Sequence, residues 1–275
     1  MCPYPERLVH GRGSMLRRGR MVAHCLLVET AASGLVLVDT GIGLEDLAAP
    51  VARLGRGFVA VTGLVAGSPK MSAFEQVKAL GFDPREVRHI LVTHLDLDHA
   101  GGLADFPWAK VHVHVAERAA ALDRPTVMER NRYRRVHFAH GPDWAPYAQT
   151  GEPWKGFAAV RELPGLPPEI LAIPLAGHTR GHACVAVDTG SRWLLHAGDA
   201  YFSRRTLDGT GTPFGLGLFE QTVAIDAARV RENHARLGEL ARAHSADLSV
   251  FSAHDCDEFD ALRADQARVA PPVAR

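Results

Sequence analysis

One stretch, Thr93-His94-Leu95-Asp96-Leu97-Asp98-His99-Ala100-Gly101-Gly102, constrains this chain more than any other. Four side chains able to bind a metal, His94, Asp96, Asp98 and His99, fall within six residues of one another. They follow directly on an apolar run at 89–92 that reads as a strand. In a loop leaving a strand end, alternate side chains converge on one side, while the adjacent pair Asp98-His99 splays. Imidazole and carboxylate suit zinc, iron or manganese, and no cysteine stands among them to favour softer ions. Ala100-Gly101-Gly102 is small enough for backbone to approach a metal, or for a helix to begin beside it.

Three further segments repeat the form of a strand, then a His or Asp, then small residues. They are Pro174-Leu175-Ala176-Gly177-His178-Thr179-Arg180-Gly181-His182, His196-Ala197-Gly198-Asp199 and Phe251-Ser252-Ala253-His254-Asp255. Each puts a ligand type where an apolar strand ends, a common place for sites carried by loops on a rigid scaffold. A lone histidine at such a position reads as a hydrogen-bonded structural residue; the repetition argues for a metal site.

Composition sets the outer limits. Of 275 residues, 47% are hydrophobic and 23% charged, the usage of a globular chain. Lys+Arg 31 balance Asp+Glu 31, so the chain lacks the basic field of a nucleic-acid or anionic-membrane binder. Cys2, Cys25, Cys184 and Cys256 form no CxxC pair and no disulfide framework. The longest apolar stretch, 58–67, is about half of the roughly 20 residues that a membrane span needs. The N-terminus has no continuous apolar run of the signal-peptide kind, so the expectation is a cytoplasmic protein.

The elements follow in order. Runs at 21–29 and 35–39 predict a hairpin across Ala31-Ala32-Ser33-Gly34, which argues against a purely parallel sheet. Helical spacing at 74–80 stops at Gly81. Strands are expected at 110–115, 170–175, 184–188, 193–196 and 248–252. Helices are expected from Glu117, from an Asp226 N-cap, and over 257–269 before a Pro-containing tail. Between 127 and 154 periodicity is lost among Arg, Pro and aromatic residues, which predicts an insertion or lid on a single domain spanning 1–275. The Gly-rich stretch 209–217 lacks the signature of a phosphate loop and reads as a mobile loop over the site. No GxSxG or HExxH occurs, which disfavours a serine-hydrolase elbow and a zincin helix.

With these segments in this order, the chain resembles the metallo-β-lactamase-fold hydrolases over about residues 20–256. The motifs that carry the likeness are the HxHxDH-type loop at 94–99, the GHTxGH segment at 177–182, Gly198-Asp199 after a strand and the late His254. THLDLDHAGG and the length look most like the lactonase and glyoxalase II branches. The resemblance implies an α/β fold, a four-layer αββα sandwich, and two divalent metal ions, zinc first, with iron or manganese as alternatives. By position it implies His94, Asp96 and His178 at the first metal, Asp98, His99 and His254 at the second, and Asp199 bridging them. Asp39 matches a mainly architectural aspartate. The implied chemistry is attack by a metal-bridging hydroxide on a small ester, lactone or thioester, with Asp98 orienting the hydroxide and passing on its proton. Tyr201 is a candidate donor to the substrate oxygen, one residue before the position the lactonase branch uses. The implied partner is a small molecule, with no nucleic acid and no membrane, and a homodimer is compatible.

Asp96 departs from the family, which usually has histidine there. A third carboxylate makes the site one unit more negative and predicts a weaker Lewis acid with a shift towards harder ions. A carboxylate at this slot resembles the flavodiiron branch, so a di-iron oxidoreductase stands as an alternative, beside a phosphodiesterase and a binding protein that keeps the fold without turnover. The run Arg130, Arg132, Arg134, Arg135 reads as the solvated face of the insertion, or else as a clamp for an anionic substrate. His137 and His140 lie in the same insertion and are open to a substrate role, whereas His112 and His114 read as structural. His182 is expected to bond a neighbouring loop.

Overall fold

Alternation along one strand shows how the layers form. In β2 (Leu35–Val38) all four side chains are buried, which requires cover on both faces. A computed structural model of the chain, describing residues 4–64, 67–148 and 151–269, shows that cover. Cys2 and the expected tail lie outside the described residues. Leu35 and Leu37 pack outward with Ile90, Val111 and Val113 against Ala73, Val77, Ala120 and Ala121. These last four belong to the helices Ala73–Ala79 and Val115–Asp123. Val36 and Val38 turn inward, with Leu91, onto Ile170, Ala172, Val185 and Val187 of a second sheet. That second sheet buries its other face, through Leu171, Ile173, Cys184, Ala186 and Leu195, against Leu237, Leu240 and Ala241 of the helix Ala227–Ala243. The result is the αββα sandwich expected. Each fully buried aliphatic side chain in these layers contributes roughly 1.5–3 kcal/mol.

The first sheet runs β1 (Leu26–Glu29), β2, β3 (Val87–Leu91), β4 (Lys110–His114), β5 (Asp143–Tyr147). Only the β1–β2 hairpin is antiparallel in it. Between the sheets in sequence lies a short hairpin, β6 (Glu152–Trp154) and β7 (Phe157–Ala159). The second sheet contains β8 (Ile170–Pro174), β9 (Ala183–Asp188), β10 (Trp193–His196) and β11 (Leu248–Phe251), in the order β11-β10-β9-β8. Residues of β3, β8, β10 and β11 lead directly into the segments that carry His94, His178, Asp199 and His254.

The stretch 127–154 contains regular elements. Residues Asp143–Tyr147 form the edge strand of the first sheet, parallel to β4 with Pro146 opposite Val113. An edge strand tolerates proline because one side of it needs no ladder hydrogen bonds. The helix Val127–Arg132 begins with a capping box between Thr126 and Glu129. The Gly-rich stretch likewise ends in a helix, Phe214–Val223. Among the described residues no helix is long and apolar enough to cross a membrane.

Candidate metal centre

The loop after β3 is fixed before any ligand is considered. Asp39, just beyond β2, has a left-handed backbone (φ 58) and accepts hydrogen bonds from the Thr93 N–H and hydroxyl, both at 2.7 Å. The chain then passes His94 and starts the short helix Leu97–Ala100, whose N-cap is Asp96. Gly101 and Gly102 serve a close approach of backbone to backbone. A Cβ on Gly102 would lie 2.7 Å from the Thr40 carbonyl oxygen, and one on Gly101 2.4 Å from the Asp46 carboxylate. Their smallness belongs to loop packing against 40–46 rather than to a metal.

Seven side chains meet in two groups. His94, Asp96, His178 and Asp199 form one; Asp98, His99 and His254 form the other, and within each the donor atoms lie within 4.8 Å of one another. Asp199 faces both. Its Oδ2 lies 3.4 Å from His178 Nε2 and 3.8 Å from His94 Nε2. Its Oδ1 lies 3.1 Å from both His99 Nε2 and His254 Nε2. The turn that delivers Asp199 needs Gly198 at φ 53, where a Cβ would sit 2.7 Å from His182 Nε2. That nitrogen accepts from the Asp199 N–H at 3.1 Å, so His182 holds the loop, as expected.

The partners of the other ring nitrogens decide what the Nε2 atoms can do. His99 Nδ1 lies 2.8 Å from the Asp39 carboxylate and His254 Nδ1 2.6 Å from the Val22 carbonyl, both acceptors only. Nδ1 therefore carries the proton in each, and Nε2 presents a bare lone pair when the ring is neutral. The two Nε2 atoms stand 3.4 Å apart, each 3.1 Å from the same carboxylate oxygen. His94 Nδ1 is bonded to the Thr93 hydroxyl at 2.9 Å, while its Nε2 is buried without a hydrogen-bond partner. Such a convergence of acceptors is repulsive unless a cation, or protons, lie among them. The titrations respond accordingly. Burial lowers His254, but the Asp199 carboxylate outweighs it and takes the imidazole up to about 8. Burial opposes ionisation of Asp199, and His254, His99 and His178 override it, holding the carboxyl well below its usual range. A divalent ion of the zinc, iron or manganese kind fits this donor set in each group.

Arg132, expected on a solvated face, is a buried part of the site. Its Nε lies 3.1 Å from Asp96 Oδ1, and its guanidinium donates to the His178 carbonyl at 2.9 Å and to the Val223 carbonyl. Asp96 is held well below the usual carboxylate range: burial opposes this, and Arg132 and His94 overcome it. The excess negative charge predicted from Asp96 is thus offset within the protein. Glu117 is a second residue that spacing did not reveal. It is buried and accepts from the Leu95 N–H and the Gly181 N–H, joining two of the ligand loops.

Tyr201 is a correction. Its ring is in the core behind the second sheet, and its hydroxyl donates to Glu258 at 2.9 Å. Burial and Glu258 push the phenol well above its ordinary value, and the hydroxyl is engaged by Glu258 away from the cavity. Phe202 takes the cavity-facing position and stacks on His254 with ring centroids 5.2 Å apart. Tyr201→Phe should therefore leave kcat/KM within about twofold. It should lower Tm by about 3–10 °C through loss of one hydrogen bond to a carboxylate; a large loss of turnover at unchanged Tm would return Tyr201 to the chemistry. His137, from the same insertion as Arg132, is also buried, bonded to Asp46 at 3.0 Å. His112 pairs with His89 at 2.9 Å.

Above the two groups opens a cavity of about 770 Å³. Asp96, Asp98, His178, Asp199 and His254 form its floor, and Leu54, Phe58, Met128, Phe202, Leu218 and Phe219 are among its walls. Imidazoles and carboxylates thus form the floor of a cavity whose walls are largely apolar, a form common to small-molecule sites.

Comparison with known proteins places it further. Residues 18–233 match the family model of the metallo-beta-lactamase superfamily, and the chain belongs to that superfamily as a metal-dependent hydrolase. A protein of Mycobacterium tuberculosis named probable metallo-hydrolase is 44% identical over 246 residues, covering 88% of this chain and 77% of its own. An N-acyl homoserine lactonase of Agrobacterium fabrum is 28% identical, covering 84% and 81%. Among solved structures, an N-acyl homoserine lactone hydrolase with N-hexanoyl-L-homoserine at its catalytic metal centre superimposes with TM-score 0.67 at 21% identity, covering 94% of this chain and 91% of that one. A dizinc quorum-quenching lactonase does so with TM-score 0.55 at 16% identity, covering 86% and 73%.

Proposed function

We propose that this protein is a dinuclear metal-dependent lactonase, with zinc as the first choice of metal, acting on a lactone that carries an apolar chain. The observation that carries the reading is the placement of both donor groups, joined by Asp199, on the floor of an apolar cavity. Relatives named as lactonases support the reaction class. When bound, two divalent ions make hydroxide available near neutral pH and take up charge on a carbonyl oxygen. His94, Asp96, His178 and Asp199 would hold one ion, and Asp98, His99, His254 and Asp199 the other. Asp98, about one-sixth exposed and on the cavity floor, is the carboxylate placed to accept a proton and return it to the departing alkoxide. Leu54, Phe58, Met128 and Phe219 would exclude water from the acyl chain. With Arg132 offsetting Asp96, the charge that motivated a di-iron oxidoreductase is cancelled, and hydrolysis is the reading retained.

The test is metal content by mass spectrometry, followed by hydrolysis of N-acyl homoserine lactones of increasing chain length beside thioesters and phosphodiesters. The expected outcome is two divalent ions per chain and lactone opening that a chelator abolishes and added metal restores. Each methylene buried should raise kcat/KM by up to about fourfold, from roughly 0.8 kcal/mol of transfer free energy. Cleavage of phosphodiesters but not lactones, or oxygen consumption by bound iron without hydrolysis, would reject the proposal.

A further inference from the structure

With Asp199 facing both, each donor group has two imidazoles and two carboxylates: Asp96 and Asp199 in the first, Asp98 and Asp199 in the second. Arg132 is the cation that offsets one carboxylate of the first. It ends the helix Val127–Arg132 and is only 9% exposed, so its charge needs partners inside the protein. Its Nε forms an ion pair with one oxygen of Asp96, Oδ1 at 3.1 Å, an atom that has no hydrogen-bond partner. The other oxygen is left facing His178 Nε2 at 3.0 Å and His94 Nε2 at 3.4 Å. The same guanidinium donates to the His178 carbonyl, so one side chain fixes two members of the first group. Its remaining bond, to the Val223 carbonyl, ties this corner to the helix Phe214–Val223 of the cavity wall. A guanidinium can do this because its donors form a rigid planar fork.

We propose that Arg132 is the positioning and charge-setting residue of the first metal group, and that with Asp96 it forms a neutral unit presenting a single carboxylate oxygen to the ion. The inference rests on the metal-site reading of the preceding section. Without Arg132, Asp96 would be a buried carboxylate with no cation other than the metal, so the fold would come to depend on metal. Without the Asp96 charge, Arg132 would be an unpaired cation aimed at the ion, and metal affinity would drop. Replacing both by a neutral ligand and a neutral filler should restore balance.

The experiment is a double-mutant cycle of Arg132→Met, Asp96→His and the two together. Tm is read with and without Zn²⁺, and Zn²⁺ affinity by competition with a chromophoric chelator; no substrate is involved. The rise in Tm on adding Zn²⁺ should be larger than wild type in Arg132→Met and smaller in Asp96→His, with affinity in the latter about 10- to 100-fold weaker. The double variant should return towards wild type in both readings. Should Arg132→Met fail to fold without Zn²⁺ yet fold with it, that also supports the proposal. A guanidinium that only clamps the two carbonyls would instead lower Tm equally with and without Zn²⁺, and the double variant would be no better than the worse single one. That result overturns the inference, as does a double variant that does not fold. Failure of the metal reading itself would show earlier, as a wild-type chain that takes up no Zn²⁺.

Discussion

Asp199→Ala is expected to empty both metal positions and to reduce lactone turnover by about a thousandfold or more. A four-ligand zinc site in a small peptide is worth roughly 10–16 kcal/mol, or about 2.5–4 kcal/mol per ligand. Losing one ligand thus weakens an ion by about 10²- to 10³-fold. Asp199 counts twice, because Oδ2 faces His178 and His94 while Oδ1 faces His99 and His254. Removing it also takes away the carboxylate whose attraction lifts His254 to about 8 and outweighs the repulsion from His99, so the metal-free chain loses that stabilisation. The variant should therefore have an apo Tm below that of wild type, with the larger loss in metal content and kcat/KM. Asp199→Asn retains one oxygen and should fall between the two. Mass spectrometry of the purified variants, beside lactone kinetics at fixed free Zn²⁺, makes the comparison; two ions and an undiminished rate in Asp199→Ala would remove this residue from the site.

What the sequence disclosed about this centre, and what it hid, divides along a physical line. His94, His178, Asp199 and His254 were legible because each follows an apolar strand whose period fixes where the chain is going. The four layers came from the likeness to the family, since the strand pattern by itself suited two layers or four; the burial of both faces of 35–38 and 183–187 agrees with four. Arg132 was not. It stands in a basic run, and helical geometry turns only some of that run inward, while its carbonyl partners lie 46 and 91 positions away. Tyr201 shows the complementary failure. Its order in the chain suggested the site, but the left-handed turn at Gly198 sets the phase of the following residues, sending Tyr201 to the core and Phe202 to the cavity. Edge strand β5 was hidden by Pro146 and the aromatic residues around it, which pattern reading takes for loop.

Asp39, read from the sequence as architectural, should prove to control the second metal group through one proton. Its carboxylate is buried at 1% exposure and is held below the usual range, with the His99 imidazole overcoming the effect of burial. Oδ2 accepts from His99 Nδ1 at 2.8 Å, which forces the tautomer that leaves Nε2 free for an ion. Asp39→Ala leaves the Thr93 N–H and His99 Nδ1–H buried without their acceptor, at about 1–3 kcal/mol each. An apo Tm lower by about 5–20 °C follows for a chain of this size, together with metal affinity about 10- to 100-fold weaker. Asp39→Asn separates the two effects. The amide can still accept from the Thr93 N–H, so much of the stability should survive. Its NH2 group, turned towards His99, would favour an acceptor at Nδ1 and hence a proton on Nε2, where an ion should bind. The Asn variant should therefore keep a Tm closer to wild type than the Ala variant does, yet lose one of two ions at the same free Zn²⁺. The nitrogen resonances of His99 report the tautomer directly. Protonation at Nδ1 in Asp39→Asn, with both ions retained, would show that the imidazole is oriented by something other than Asp39.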